Sequence, residues 1–270
     1  MDLGATAVPL VMAGLAESLA IYVHGEQDLH VSRRLREEGI WEPYESSLVL
    51  NMLSPGQVFV DVGANIGYFS LLAASRVGAS GAVFAFEPDP DNFSLLTRSA
   101  ALNSQQHVIH ATQAGLAAAD GEARLYLSDD NLGDHQIFQA GEVRRSAAIT
   151  VLNGANFLGG KLQRIDLLKI DTQGSEFGVV QGLMPLLTSM AAAPRIIIEL
   201  TPLSLRQCGS SGRMLIELLG ELGQPMWIID HLEHRLVASS CAELAQWCDN
   251  VDAVAGDAGF MNILVGNGLD

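Results

Sequence analysis

The sequence predicts an α/β fold: an open, doubly wound sheet, mostly parallel, with helices on both faces and a terminal antiparallel strand. Three observations predict it. Short apolar runs alternate with segments of helical periodicity along the chain. One such run, Val58–Val62, ends in a glycine loop that passes directly into an amphipathic helix, and a second, Val83–Phe86, ends in an acid, Glu87. No repeat, low-complexity tract or Pro/Gly-rich linker interrupts the alternation.

The elements follow in order. Ala5–Ala16 is apolar but too short to span a bilayer, and Asp2 stands where a signal peptide needs a basic residue, so a small packing helix is expected there. With the helix-like Val31–Glu38 it forms a cap segment over residues 1–45 that packs across the sheet edge, and the sheet domain occupies 46–270. Ser47–Leu53 reads as a helix closed by Ser54-Pro55-Gly56, and Ser70–Arg76 continues the helix after the glycine loop. Asp91–Leu102 is helical and Val108–Ala111 a short strand. Arg124–Leu127 with Ala147–Val151 predicts a small antiparallel insertion near 120–152. Leu167–Ile170 and Arg195–Leu200 are strands, Gly212–Leu222 is a helix, and Met226–Asp230 with Phe260–Val265 closes the sheet as a terminal pair.

Composition narrows the function classes. The hydrophobic fraction of 49% supports a large core, and a net charge of −16 with a pI near 4.7 argues against nucleic acid as a partner. Cys208, Cys241 and Cys248 form no C-x-x-C pair, so reduced thiols in a cytoplasm are expected. His231-Leu232-Glu233-His234 has a metal-like spacing, but it follows a strand and precedes Arg235-Leu236-Val237, which favours a hairpin turn; no metal site is expected.

The glycine loop carries the chemistry. Gly63 and Gly67 bracket Asn65 where the chain must reverse, and Glu87 lies 20 residues past Gly67, the spacing at which a strand-end carboxylate meets ribose hydroxyls. The loop lacks the G-x-G-x-x-G that cradles a pyrophosphate, so a nucleoside without phosphates fits better than NAD. Asp61, Glu87, Asp171 and Glu199 all fall at or beside strand ends, where open α/β sheets bind ligands. For Asp61 and Glu199 a capping role is equally open.

The strand, the D-x-G-x-N-x-G loop, the helix and the E-P-D that follows resemble the Rossmann-like core of class I S-adenosylmethionine-dependent methyltransferases. WEPYESSLVLNML, PGQVFVDVGANIGYFSLLAA, FAFEPDPDNFSLL, the stretch from DLLKIDTQGSEF to VVQGL, and RIIIEL look like the successive motifs of the FkbM-type members, over roughly Gly39 to Thr201. The resemblance implies S-adenosylmethionine as cofactor, lined by Asp61, Gly63, Asn65 and Gly67, with Glu87 on the ribose and Gln113 or Ala114 near the adenine. Glu42 and Glu45 are further cofactor contacts by resemblance alone.

The resemblance also implies methylation of a hydroxyl on a sugar or secondary metabolite, with a small-molecule, glycan or peptide acceptor. N-methylation of a peptide amide or amine is the alternative among enzymes. A non-catalytic nucleoside-binding or scaffold domain is the alternative from another class. His135, in a polar loop beside Asp134, is the leading general-base candidate, because neutral imidazole accepts a proton near pH 7. Asp171 is the second. Around it the chain departs from the family pattern, carrying Gln173 where Glu is usual and Ser175 where Ala is usual, which speaks against a metal held by clustered acids. Trp41 and Tyr44 are candidates for aromatic walls, with core packing the favoured reading.

Overall fold

Strand and helix alternate as the periodicities require. The computed structural model describes residues 4–15, 18–126 and 145–269. Its elements begin with β1 (Thr6–Pro9), β2 (Ala20–Val23), α1 (Val31–Glu38), α2 (Pro43–Met52), β3 (Val58–Val62), α3 (Tyr68–Val77), β4 (Ala82–Phe86), α4 (Pro90–Leu102) and β5 (Ile109–Thr112). Then come β6 (Gly115–Ala117), β7 (Gly121–Tyr126), β8 (Ser146–Asn153), α5 (Gly154–Leu158), β9 (Leu167–Ile170), α6 (Glu176–Ser189) and β10 (Arg195–Leu200). The last are α7 (Pro202–Gln207), α8 (Gly212–Gly220), β11 (Met226–Asp230), β12 (Arg235–Ser239), α9 (Cys241–Asp252) and β13 (Met261–Val265).

The main sheet has eight strands in the order β12-β11-β13-β10-β9-β3-β4-β5. From β10 to β5 every pairing is parallel, and β13, β11 and β12 join antiparallel to their neighbours. Side chains alternate between faces along each strand. Phe59, Leu167, Ile197 and Leu264 pack into one core with α2, α3, α4 and the N-terminal elements. Val60, Leu168, Ile196, Ile198 and Ile263 pack into a second core with α6, α8 and α9. Both faces are therefore covered, and the strands read as largely apolar runs for that reason, broken by Asp61, Lys169 and Glu199.

Three expectations are corrected. Thr6–Pro9 is a strand, paired antiparallel with Ala20–Val23, where a helix was expected over Ala5–Ala16. Pro9 lacks an N–H and Gly14 sits at φ 91°, so neither continues a helix, whereas both are compatible with an edge strand and a turn. The terminal pair is not at the edge: β13 lies between β10 and β11, and β12 forms the rim beyond the turn at 231–234. The insertion is also larger than expected, because β6 joins β8 and β7 in a separate three-stranded sheet. Among the described residues no helix is long and apolar enough to cross a membrane.

Candidate active site

The glycine loop owes its shape to two close approaches. Gly63, Asn65 and Gly67 take φ of 81°, 51° and 90° between β3 and α3. A Cβ on Gly63 would stand 1.9 Å from the Asp171 carbonyl oxygen, and one on Gly67 would stand 2.8 Å from Leu96 Cγ. The first glycine lets the loops after β3 and β9 touch; the second lets α3 close on α4. The loop N–H groups then point toward β4. Gly63 and Ala64 both donate to the Phe86 carbonyl at 3.0 Å, and Asn65 donates to Glu87 Oε2 at 2.7 Å. Glu87 Oε1 accepts from Asp89 N at 2.8 Å. Burial outweighs these donors and pushes the Glu87 carboxyl up to about 8.

A polar stripe crosses the carboxyl ends of β3, β9 and β10 and the amino end of the antiparallel β13. Register sets Asp61 opposite Lys169 and Glu199 opposite Asn262, all on the face covered by α2 and α3. Lys169, only 4% exposed, donates from Nζ to Asp171 Oδ2 at 3.0 Å, lies 3.6 Å from Glu45 Oε1 and sits 4.5 Å above the Phe69 ring. Burial works against its ammonium, but Asp171, Glu45, Glu42 and Asp61 outweigh it and raise its pKa above the ordinary lysine value. Asn262 donates to Glu45 Oε2 at 2.6 Å. Asp61 accepts from Ser70 Oγ at 2.6 Å, and burial lifts its carboxyl to about 6.

Gln173 ties the stripe to the neighbouring loop. Its Nε2 donates to Asp171 Oδ1 at 2.8 Å and to Glu199 Oε2 at 3.0 Å, from a backbone at φ 54°. Burial, with Asp171 and Glu176 nearby, raises Glu199 well above the carboxylate range. Glu176 is fully buried and folds back on its own loop, accepting from Thr172 N and Gly174 N at 2.9 Å. Gln173→Glu replaces the bridging donor with a third carboxylate. We expect urea unfolding to show a loss of about 1–3 kcal/mol, larger at pH 8 than at pH 6.

Two cavities open over these strand ends. A narrow one, about 60 Å³, is lined by Asn65, Glu87, Asn92, Leu116, Ile149 and Val151 among others. The other, about 500 Å³, within the range of ligand sites, is lined by Arg34, Trp41, Glu42, Tyr68, Glu199 and His231 among others. Gly63, Asn65, Asp171 and Gln173 line both, so the cavities meet at the glycine loop. Among the described residues no group of three or more His, Cys, Asp or Glu is arranged to hold a metal ion.

A family model described as the methyltransferase FkbM domain matches residues 61–226, more than half of the chain. The chain belongs to the FkbM methyltransferase family. Methyltransferase 1 of Beauveria bassiana is 31% identical over 144 residues, 46% of this chain and 57% of that protein. Hexuronic acid methyltransferase AglP of Haloferax volcanii is 27% identical over 145 residues, 53% of this chain and 56% of that one. The chain thus spans little more than half the length of these relatives. The crystal structure of Methyltransferase FkbM from Methylobacillus flagellatus is 14% identical, covering 80% of this chain and 47% of that one at a TM-score of 0.47.

Of the residues singled out from the FkbM motifs, the fold brings Gly63, Asn65, Glu87 and Asp171 to the cavity walls. Asp61 and Gly67 line neither: Asp61 is turned to Ser70 and Lys169, and Gly67 serves helix packing. Gln113 is exposed beyond β5, and Gly115 and Leu116, the second and third residues after it, reach the narrow cavity instead. His135 and Asp134 lie outside the described residues. Trp41 lines the larger cavity, while Tyr44 stacks on His234 with centroids 5.5 Å apart. Lys169 went unread among the candidates. Its signal was present, a lysine inside an otherwise apolar central strand, where a buried charge must be paired.

Proposed function

We propose that this chain transfers a methyl group from S-adenosylmethionine to a hydroxyl of a sugar or comparable small molecule. The observation that carries this reading is the Glu87 carboxyl, 5% exposed and anchored by two backbone N–H groups, in the wall of the narrow cavity, which mixes apolar side chains such as Val62, Leu116 and Ile149 with polar ones such as Asn65, Asn92 and Asp171 and, too small for a whole nucleoside, opens at Gly63 and Asn65 into the larger one. The apolar part of the wall suits the faces of a base, and Glu87, which also accepts from the Asn92 side chain, keeps acceptor capacity for a ribose hydroxyl. Among the described lining residues of that cavity there is no Lys or Arg, which suits a nucleoside without phosphates. The cofactor supplies an electrophilic methyl on a good leaving group. Positioning alone is worth about 7–11 kcal/mol when reacting atoms are aligned.

The larger cavity suits the acceptor. Trp41, Tyr68 and Phe69 give it aromatic surface, and Glu42, Asp171, Gln173 and Glu199 give it polar groups for a hydroxylated ligand. The Haloferax relative is named for hexuronic acid, which places uronic acids and other sugars first in an acceptor screen. The strongly acidic chain supports a small acceptor over a nucleic acid.

Calorimetric titration with S-adenosylmethionine and, separately, NAD tests the reading. Binding of the first alone supports it; a folded protein that binds neither points to the scaffold alternative. Glu87→Ala should raise the Kd for the cofactor and for S-adenosylhomocysteine by about ten- to a hundredfold, the cost of leaving ribose donors unmatched. The affinity should also depend on pH. The free Glu87 carboxyl holds its proton below about pH 8, whereas ribose donors favour the carboxylate. Affinity for S-adenosylhomocysteine is therefore expected to fall as pH drops below about 8, approaching roughly tenfold per unit. A flat profile from pH 6 to 9 would remove Glu87 from that role.

A further inference from the structure

Glu42 precedes Pro43, where an extended backbone is the rule, yet it stands at φ 40° and ψ 70°. A left-handed non-glycine residue persists only where its surroundings hold it. Ser46 does so here. Its N–H donates to the Glu42 carbonyl at 2.9 Å, its Oγ donates to the Trp41 carbonyl at 2.6 Å, and the same Oγ meets Tyr68 Oη at 3.0 Å.

The conformation sets Glu42 into the wall of the 500 Å³ cavity. Asp171 is held by Lys169 and Gln173, Glu199 by Gln173, and Glu45 by Asn262 through Oε2, its Oε1 making no hydrogen bond among the described residues but lying 3.6 Å from the Lys169 ammonium. Glu42 Oε2 is buried and has no hydrogen-bond partner among the described residues. A strained backbone that delivers a carboxyl with one oxygen left over to a cavity wall serves a ligand better than it serves the fold.

We propose that Glu42 takes the proton of the acceptor hydroxyl during methyl transfer, an assignment that rests on the methyltransferase reading above. The oxygen–carbon bond forms as the sulfur–carbon bond breaks, sulfur keeps the bonding pair, and the hydroxyl proton passes to the Glu42 carboxylate. Several groups set its charge state. Glu45 faces it from α2, Lys169 and Asp171 from β9 and the loop beyond, Glu199 from β10 and Tyr68 from α3. His30, Arg34 and His231 line the same cavity. Burial and the Glu45 charge hold Glu42 well above the ordinary carboxylate range despite Lys169, which favours its protonated form in the free protein. A sulfonium brought to the wall shared by the cavities restores the carboxylate, and the base is armed only when the methyl donor is present.

The test needs no acceptor. Proton release is measured calorimetrically at pH 7, in buffers of different ionisation enthalpy, for S-adenosylmethionine and for the uncharged thioether S-adenosylhomocysteine. Glu87 meets the ribose of both, so the difference between them isolates the sulfonium. We expect the first ligand to release up to about one more proton than the second, and Glu42→Gln to abolish the difference. Equal release by the wild type, or an undiminished difference in the variant, overturns the assignment. Failure of the wild type to bind S-adenosylmethionine sinks the methyltransferase reading itself and is seen as such. With D-glucuronate as acceptor probe and saturating cofactor, Glu42→Gln should slow transfer by about 10²–10⁴-fold and erase the acid limb of kcat/KM for the acceptor, with partial retention in Glu42→Asp. Unchanged turnover in Glu42→Gln overturns the proposal as well.

Discussion

Replacing Lys169 with methionine is expected to destabilise the folded chain by about 3–5 kcal/mol, as a lower urea midpoint with an unchanged slope. The ammonium stands among Glu45, Asp171 and Asp61, two of them almost wholly buried, and it is the cation that compensates them. Methionine matches its length and its packing over Phe69 but leaves the carboxylates facing one another in a low dielectric. The deficit should be larger at pH 8 than at pH 5, because burial lifts Asp61 to about 6 and its protonation removes part of the repulsion. Adding Glu45→Gln to the variant should recover part of the loss, since it removes the most buried of the unmatched charges. Equal stability of Lys169→Met and wild type at pH 8 would mean that the stripe is held by its hydrogen bonds and not by its charges.

Gly63→Ala should be the most damaging single methyl group in the walls of the candidate site. The added carbon meets the Asp171 carbonyl at 1.9 Å, a backbone atom that cannot swing away, and the residue must keep φ near 81°. Relief requires the β3 and β9 loops to part, which carries Asn65 off Glu87 and Asp171 off Lys169. A loss above about 4 kcal/mol and undetectable cofactor binding are expected, by thermal unfolding and calorimetric titration. Gly178→Ala provides the contrast. It lies within α6, its nearest neighbour is Ala118 N at 4.0 Å, and it should be neutral or stabilising by about 0.4–1 kcal/mol.

What the sequence made legible follows from burial. Leu167–Ile170, Arg195–Leu200 and Met226–Asp230 were bounded correctly because strands covered on both faces, or bounded by turn residues, show as compact apolar runs. The glycine-loop half of the candidate site was legible for a similar reason, since Gly63, Asn65 and Glu87 are local features of one β-α-β unit. The half around Lys169 was not. Glu45 and Asn262 are 217 residues apart, and Asp61 meets Lys169 only through strand register. Gln173 was conspicuous as a departure from the family pattern, but its bond to Glu199 exists only once β9 and β10 are paired. One omission was avoidable: Ser240-Cys241-Ala242-Glu243 is a capping box, and α9 begins at it.

The position of β13 gives the molecule a timetable. Residues 261–265 fill the slot between β10 and β11, so the hairpin that carries His231 joins the sheet only through them. A ribosome adds roughly 5–20 residues per second. The narrow cavity, lined by residues before about 200, can therefore assemble seconds before the wall that His231 contributes to the larger cavity. Until then β10 offers an unpaired apolar edge with Ile196, Ile197 and Ile198 along it, a template for another strand. A nascent chain at that stage is the form of this protein most exposed to mispairing, and a chaperone that shields one edge strand would be enough to see it through.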